Sequence, residues 1–235
     1  MIRLTNALGA EKVLPLTMSF RRVHFDIDVP SQPLLGLDGD VVTGKSTLRP
    51  RQFTLEGGIY HRDKERIRQE LDSILSFLMH PPVEVYRQHY HDRFLRAYPL
   101  GTTQDWLDAG AELQLRIPMV ALDPYWYGQE VEVAVSDAQV IEVDGTAPTY
   151  PLIRTVNSVY SLTVSNGTTG KSIDYDGASG IIEIDNARHT VTADGTNRLD
   201  LVNDEWLIAG FELLPGENTI TTSTPITVTY RPRWY

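Results

Sequence analysis

The sequence contains no cysteine. That absence excludes a disulfide framework, thiolate-bound zinc and cysteine nucleophiles together. It also lacks any run of about 18 apolar residues, so no helical membrane span is expected. The opening Met1-Ile-Arg-Leu-Thr-Asn-Ala-Leu has no apolar core of a signal peptide, and the chain is expected to be soluble and made in the cytoplasm. Positive charge is scarce: 21 Lys and Arg stand against 31 Asp and Glu, a net charge of −10. A surface of that sign repels polyanions, which argues against nucleic-acid binding and against anionic membranes as partners. What the chain does have is 41% hydrophobic residues over 235 positions, enough to pack the core of one large domain or two modest ones and to exclude disorder as the main state.

Period-2 alternation dominates. Val23, Phe25, Ile27 and Val29 alternate with His24, Asp26 and Asp28, which predicts a half-buried strand stopped by Pro30. A second alternation over residues 52–56 is expected to break at Gly57-Gly58. Residues 33–45 between them are rich in Gly, Pro and Asp and read as a long, irregular, exposed loop. The period then changes: Ile67, Leu71, Ile74, Leu75 and Leu78 recur at helical spacing. This predicts one helix near 63–79, with Asp63 as N-cap and His80-Pro81-Pro82 as its stop. It is the only strong helix signal, and its apolar stripe is expected to pack on a sheet. Strand signals return at 83–87 and 111–117, where Ala111, Leu113, Leu115 and Ile117 face one way.

After the aromatic corner Asp123-Pro-Tyr-Trp-Tyr-Gly128 the composition shifts to Val, Ile, Thr and Tyr, which suit a pleated, half-buried surface. We therefore expect two domains, 1–128 and 129–235. Strands are expected at 131–135, 140–143, 159–165, 173–175, 181–184, 189–192, 199–202, 211–214 and 226–230. Turn dipeptides punctuate them at Asp144-Gly145, Asn166-Gly167, Asp176-Gly177, Asp194-Gly195 and Pro215-Gly216. Short strands with a turn every ten residues or so indicate an antiparallel sandwich, so the fold class is mainly β with one helix.

Motifs with chemical promise resolve poorly. Gly39-Asp-Val-Val-Thr-Gly44-Lys45-Ser46 satisfies the phosphate-loop pattern, but such a loop must lead from a buried strand into a helix. Pro50 and the strand-like residues that follow leave no room for one, so nucleotide binding is not expected. His80, His89 and His91 gather loosely; the pair at 89 and 91 shares a strand face, yet Asp92 points the other way and no third ligand is evident. The pairs Asp38/Asp40 and Asp174/Asp176 hint at calcium. Counting the EF-hand register from them puts Val42 and Arg49, or Ala178 and Asp185, at the fifth and twelfth positions, and neither set fits. Turn-forming aspartates are the simpler reading. No catalytic, cofactor-binding or metal-binding residue is assigned, no small-molecule ligand is expected, and nothing demands an enzyme.

Several stretches together resemble the distal tail protein family of long-tailed phages with flexible, non-contractile tails. One is the run from Trp106 through Ile117-Pro-Met-Val-Ala-Leu122 into Asp123-Pro-Tyr-Trp-Tyr-Gly128, like the family's strand that enters an Asp-Pro-Tyr corner. The others are Gly180-Ile-Ile-Glu-Ile-Asp185, Leu213-Leu-Pro-Gly-Glu-Asn218-Thr-Ile220 and the ending Val228-Thr-Tyr-Arg-Pro-Arg-Trp-Tyr235. The resemblance implies an N-terminal β-rich domain with a helix and an extended arm, then a galectin-like β-sandwich. It implies a structural virion protein whose six copies form a ring at the end of the tail tube, a hub between the tube and the tail-tip or baseplate proteins of host adsorption. The arm would correspond to residues 33–45, ordered on contact with a neighbouring subunit. The rival function is a stand-alone carbohydrate-binding or adhesive module with Trp206 and Tyr175 as sugar platforms, although a core role suits both side chains. A third, polysaccharide cleavage, needs two carboxylates across a cleft, and no pair stands out. The terminal stretch 226–235 is expected to pair into a sheet, with Pro232 placing it at an edge or taking it out of the sheet. Its last residues are expected to pack near the domain junction.

Overall fold

The computed structural model describes residues 2–15, 17–21, 27–28, 30–33, 40–42, 47–87, 90–107 and 111–235. The chain divides into two compact units, Met1–Trp126 and Tyr127–Tyr235, two residues short of the boundary expected from composition.

The first unit is built on one antiparallel sheet. Its strands are β1 (Arg3–Thr5), β2 (Glu11–Val13), β3 (Ser19–Arg21), β8 (Arg51–Tyr60), β9 (Val83–Arg87), β10 (Tyr90–Pro99), β11 (Thr103–Leu107) and β12 (Glu112–Ala121). The order is β2-β1-β9-β10-β12-β8-β3, with β11 pairing β12 beyond the end of β10. Alternation sorts the side chains. Phe53, Leu55 and Ile59 of β8 lie opposite Met119, Ile117 and Leu113 of β12 on the buried face. Thr54, Glu56, Gly58 and Tyr60 lie opposite Pro118, Arg116, Gln114 and Glu112 on the other. Helix α1 (Lys64–Leu78) lays Ile67, Leu71, Ile74, Phe77 and Leu78 into that same core. Its start is as expected: the Asp63 carboxylate accepts from the Glu65 amide at 2.9 Å.

Three expectations fail in this unit. Strand β8 does not break at Gly57-Gly58 but runs through both. A Cβ on Gly57 would lie 2.5 Å from the Met18 Cα and 2.6 Å from the Thr17 carbonyl oxygen, so glycine here admits a second backbone against the strand rather than a turn. The Thr17 hydroxyl donates to the Gly58 carbonyl across that approach. Of residues 33–45, expected as an irregular loop, only Pro33 and Asp40–Val42 fall among the described residues, and these are in strands. Ser31–Pro33 (β5) pairs Asp40–Val42 (β6), and Ile27–Asp28 (β4) pairs Thr47–Leu48 (β7), both antiparallel. Of the strand expected at 23–29, only Ile27 and Asp28 fall among the described residues, and Ile27 is 53% exposed rather than buried. The strands β10 and β11 are additions that alternation did not reveal.

A two-residue strand, β13 (Trp126–Tyr127), marks the boundary between the units. The second unit is a two-sheet sandwich. Strands β14 (Val131–Val135), β16 (Leu152–Thr155), β19 (Ile182–Asp185), β20 (Thr190–Ala193), β21 (Thr196–Asn197) and β23 (Ile226–Tyr230) form one sheet, ordered β14-β23-β16-β19-β20-β21. Strands β15 (Ala138–Val143), β17 (Val159–Asn166), β18 (Lys171–Gly180) and β22 (Gly216–Thr222) form the other, ordered β15-β22-β17-β18. One apolar core holds residues of both sheets, among them Val135, Ile153, Ile184 and Val228 with Ile141, Leu162, Ile173 and Ile220.

Here the corrections concern backbone partners. Of the strand expected at 199–202, Leu199–Leu201 form a 3-10 helix, because the Asn197 side chain accepts from the Leu199 amide and turns the chain, and Val202 makes an isolated bridge to Tyr175. Phe211 and Leu213 are buried as expected of a strand, but the only ladder contact is the Leu213–Thr149 bridge. A six-residue helix, α2 (Asp204–Ala209), was not expected. Asp176-Gly177 lies inside β18, where a register shift opposite Val159 and Ser161 makes it a bulge; Gly177 has φ +121°. Asp194-Gly195 does turn the β20–β21 hairpin, with φ +47° and +77°, both left-handed.

Strand β23 pairs β14 on one side and β16 on the other, so the terminal stretch is interior to the sheet. It leaves the sheet before Pro232, and a further strand, β24 (Arg233–Trp234), follows. The Pro232 carbonyl accepts from the Gly128 amide at 2.9 Å, and the Arg233 carbonyl accepts from the Thr146 and Ala147 amides. The Arg233 guanidinium sits over the rings of Tyr127 and Tyr150. Both ends of this unit are thereby clasped together.

Candidate assembly surfaces

Among the described residues, those that the sequence offered for chemistry do not converge. Within the phosphate-loop match, Asp40, Val41 and Val42 are extended and paired in β6, which is not the glycine-rich turn such a loop requires; Gly39 and residues 43–46, Lys45 among them, lie outside the described residues. His89 also lies outside them, His80 is exposed, and no group of three or more His, Asp or Glu is placed to hold a metal ion among the described residues. Asp38 is not described. Asp174 and Asp176 are not turn residues but alternate positions on one face of β18, opposite Thr163 and Ser161. Asp185 is the true turn former: its carboxylate accepts from the amides of Ala187 and Arg188, both at 3.0 Å.

Neither proposed sugar platform is available. Trp206 is fully buried, its indole donating to the Asn186 side chain at 2.6 Å, and Asn186 in turn donates to the Pro151 carbonyl at 2.7 Å. Tyr175 is buried too, its hydroxyl donating to the Ala178 carbonyl at 3.0 Å, and burial pushes its phenol above the usual range. Both belong to the core.

The Pro-Gly-x-Asn stretch has a clear physical role. Buried Asn218 accepts from the Leu214 amide at 2.9 Å and donates to the carbonyls of Leu214 and Gly216. It also accepts from buried Asn166 at 3.1 Å, and Asn166 itself donates to the Glu212 carbonyl and accepts from the Thr168 amide. Two turns far apart in sequence are held by one amide pair. Asn218→Ala is expected to cost about 2–3 kcal/mol, since buried partners would be left unsatisfied. Calorimetry should show a fall of roughly 10–20 °C in Tm, against about 0.5 kcal/mol or less for the exposed neighbour Thr219→Ala.

The N-terminal unit offers a different kind of feature, at the edges of its sheet. All five residues of β11 are exposed, with Trp106 at 43% and Leu107 at 45%. Leu107 is in register with Glu112, which opposes Tyr60, 55% exposed, so on the outer face a leucine and a tyrosine flank a glutamate across three strands. The Tyr60 phenol lies above its usual range, chiefly through its hydrogen bond to Glu112. Thr103-Gln-Asp-Trp-Leu107 carries no Lys, Arg or Pro of the kind that blunts a free strand edge. On the far side of the same subsheet, β3-β8-β12-β11, strand β3 is the other edge. Asp105 opposes Gln114 and Arg21 opposes Thr54, so both charges stand on the outer face. Both are exposed, and neither has an ion-pair partner among the described residues. Trp106 and Phe20, in contrast, lie in the rows of Leu113 and Leu55 on the core face.

Charge divides along the same lines. Residues 1–126 hold 15 basic and 16 acidic side chains, a balance of −1, whereas residues 127–235 hold 6 and 15, a balance of −9. Copies of the second unit repel one another, and the nearly neutral first unit is the one free to self-associate. Sequence reasoning missed the β11 edge because five residues without alternation carry no strand signal; its only cue was the pairing of Trp106 and Leu107 just before a polar stretch.

Residues 144–234 match the family described as the siphovirus-type tail component, C-terminal domain. No curated protein matches the chain. Among solved structures, the crystal structure of the Dit protein of phage SPP1, presented as a paradigm of the hub adsorption apparatus of phages infecting Gram-positive bacteria, is 17% identical over 100% of both chains, with a TM-score of 0.74. The baseplate of phage P2, in its activated conformation with Ca, contains a chain 11% identical over 98% of each, with a TM-score of 0.51. The family match lies within the C-terminal unit, and likeness of fold runs the length of the chain. The expected resemblance to the distal tail protein family is found in both.

Proposed function

We propose that this protein is a structural subunit of a phage tail tip, six copies of which close into a ring at the distal end of the tail tube. The ring is a hub: the tube sits above it, and the tail-tip or baseplate proteins of host adsorption dock below. Residues 1–128 form the ring and residues 129–235 the galectin-like sandwich. The role is mechanical, with no catalytic step and no cofactor. The observation that carries this reading is the family match over residues 144–234, and the full-length fold likeness supports it. The β11 edge, which pairs β12 alone among the described residues, and the near-neutral first unit add a physical reason for self-association. A ring of identical subunits joins two different surfaces of each copy, and closes when the rotation between neighbours divides the circle.

Native mass spectrometry and negative-stain imaging of the purified chain at tens of micromolar test the ring, alone and with the neighbouring tail proteins. A closed six-subunit species is expected. A strict monomer in every condition, assembled tails included, would sink the reading.

A further inference from the structure

We infer that the C-terminal sandwich carries a binding site for a neutral saccharide at the bulge of β18, built from Tyr160, Asp176, Arg198 and Asp200. Three chain segments lie side by side there. Val159 of β17 opposes Gly180 of β18, and Ser161 opposes Asp176, so Tyr160 by itself faces the three residues 177–179. A bulge of this kind re-aims a side chain. Tyr160 is 59% exposed, and its ring and hydroxyl have no stacking or hydrogen-bond partner among the described residues. Along the other edge of β18, Val202 bridges Tyr175 in the antiparallel sense. The Asn203 amide donates to the Asp174 carbonyl at 3.0 Å, and the Asn203 side chain accepts from the Asp174 amide at 3.0 Å. The preceding 3-10 turn, which holds Asp200 just after Arg198, closes on the bulge: a Cβ on Gly177 would lie 3.3 Å from a methyl of Leu201. The charges of Arg198, Asp200 and Tyr160 all reach the buried Tyr175 hydroxyl, whose phenol is raised chiefly by burial, so the three side chains gather around one point.

Arg198 is the group that asks for a ligand. Of the six basic residues in this unit, Lys171, Arg188 and Arg231 are ion-paired, and Arg233 belongs to the terminal clasp. Arg154 is exposed to water. Arg198 alone combines the lack of an ion pair with a buried Nε that meets no hydrogen-bond acceptor among the described residues. A guanidinium shielded from water and left unsatisfied needs an explanation, and a bound acceptor supplies one. Asp176 and Asp200 are exposed and equally without ion pairs, so carboxylate acceptors stand beside the guanidinium donors. An aromatic face next to both kinds of charged group suits a sugar. The C–H face of a pyranose rests on the tyrosine ring, while neighbouring hydroxyls donate to the carboxylates and accept from the guanidinium in charge-assisted bonds. Anionic sugars and phosphate polymers are disfavoured, because this unit carries a balance of −9. The site is open to water, so binding is weak, in the millimolar range.

Saturation-transfer difference NMR on the full chain tests the site, with glucose, galactose, rhamnose and N-acetylglucosamine as neutral probes and N-acetylneuraminic acid as the anionic one. Transfer to at least one neutral sugar is expected, strongest at its ring C–H protons, with none to N-acetylneuraminic acid. Tyr160→Ala should abolish the transfer and Tyr160→Trp should keep it, since tryptophan offers a larger platform. Arg198→Ala and Asp176→Asn should each weaken binding about tenfold, the loss of one charge-assisted contact. Arg154→Ala, which removes an exposed base elsewhere in the unit, should leave binding unchanged. Tyr160→Ala should also melt within about 2 °C of the parent, as an exposed substitution does, which separates lost binding from lost folding. No transfer to any of the four neutral sugars overturns the inference, as does transfer that survives both Tyr160→Ala and Arg198→Ala. Stronger transfer to N-acetylneuraminic acid overturns the neutral class. Native mass measured on the same samples reports the ring separately, so neither result decides the other.

Discussion

Deletion of residues 226–235 is expected to leave the Tyr127–Tyr235 unit unfolded. Strand β23 is the second strand of its sheet, so its loss takes away the ladder partner of both β14 and β16. Ile226, Val228 and Tyr230 are all buried, and each contributes about 1.5–3 kcal/mol by leaving water. Their sum matches the whole stability of an ordinary domain, roughly 5–15 kcal/mol. The Tyr230 hydroxyl donates to the Glu142 carbonyl of the opposite sheet at 3.1 Å, so the deletion also removes a tie between the two layers. The last residues add the clasp of Arg233 with Thr146, Ala147 and Pro148. Limited proteolysis followed by mass spectrometry is the direct measurement: cleavage should spread through residues 127–225. A truncated chain that resists protease and melts like the intact protein would mean that the terminus is a dispensable tail.

Trp206→Ala is expected to destabilise the same unit by about 3–5 kcal/mol, the usual cost of emptying a buried tryptophan site. Helix α2 is only six residues long and cannot hold itself by propensity; the indole is what pins it to the core. The ring lies 5.4 Å from His189, and its N–H closes the chain through Asn186 to Pro151. Denaturant titration followed by circular dichroism should show the full loss. Trp206→Phe should cost less, about 1–3 kcal/mol, because it fills most of the volume but leaves the Asn186 oxygen without its donor. Equal effects of the two substitutions would show that the hydrogen bond, lost in both, decides this site rather than packing. If Trp206 instead served as an exposed sugar platform, both substitutions would leave stability unchanged.

Some elements were legible because their cause is local. Strands 131–135 and 226–230 alternate cleanly, and both have the bounds that the alternation implies. Helix α1 combined a 3.6-residue apolar period, a capping aspartate and a double proline, three independent signals in one place. Asp194-Gly195 turned its hairpin because only a residue pair tolerant of left-handed φ can make so short a link. Other elements were illegible because their cause lies elsewhere in the chain. Phe211 and Leu213 alternate as a strand would, yet no neighbouring strand offers them a ladder. Gly57-Gly58 looks like a break in one dimension. It is a strand in three, because Thr17 and Met18 cross there.

The amino-acid sequence by itself therefore determined the class of this protein: mainly β, one long helix, two units and no thiol chemistry. These follow from composition and from periodicities that span a few residues, where each side chain's preference is settled by its immediate neighbours. Tertiary structure alone decided which aromatic residues are core and which are surface, since Trp206 and Trp106 have similar polar and apolar neighbours in sequence but opposite exposures. It alone decided which strands end a sheet. An edge is defined by the absence of a partner, and partners in this fold come from positions tens of residues away: β3 ends at Arg21 and its partner β8 begins at Arg51. No local pattern records that a strand has been left unpaired.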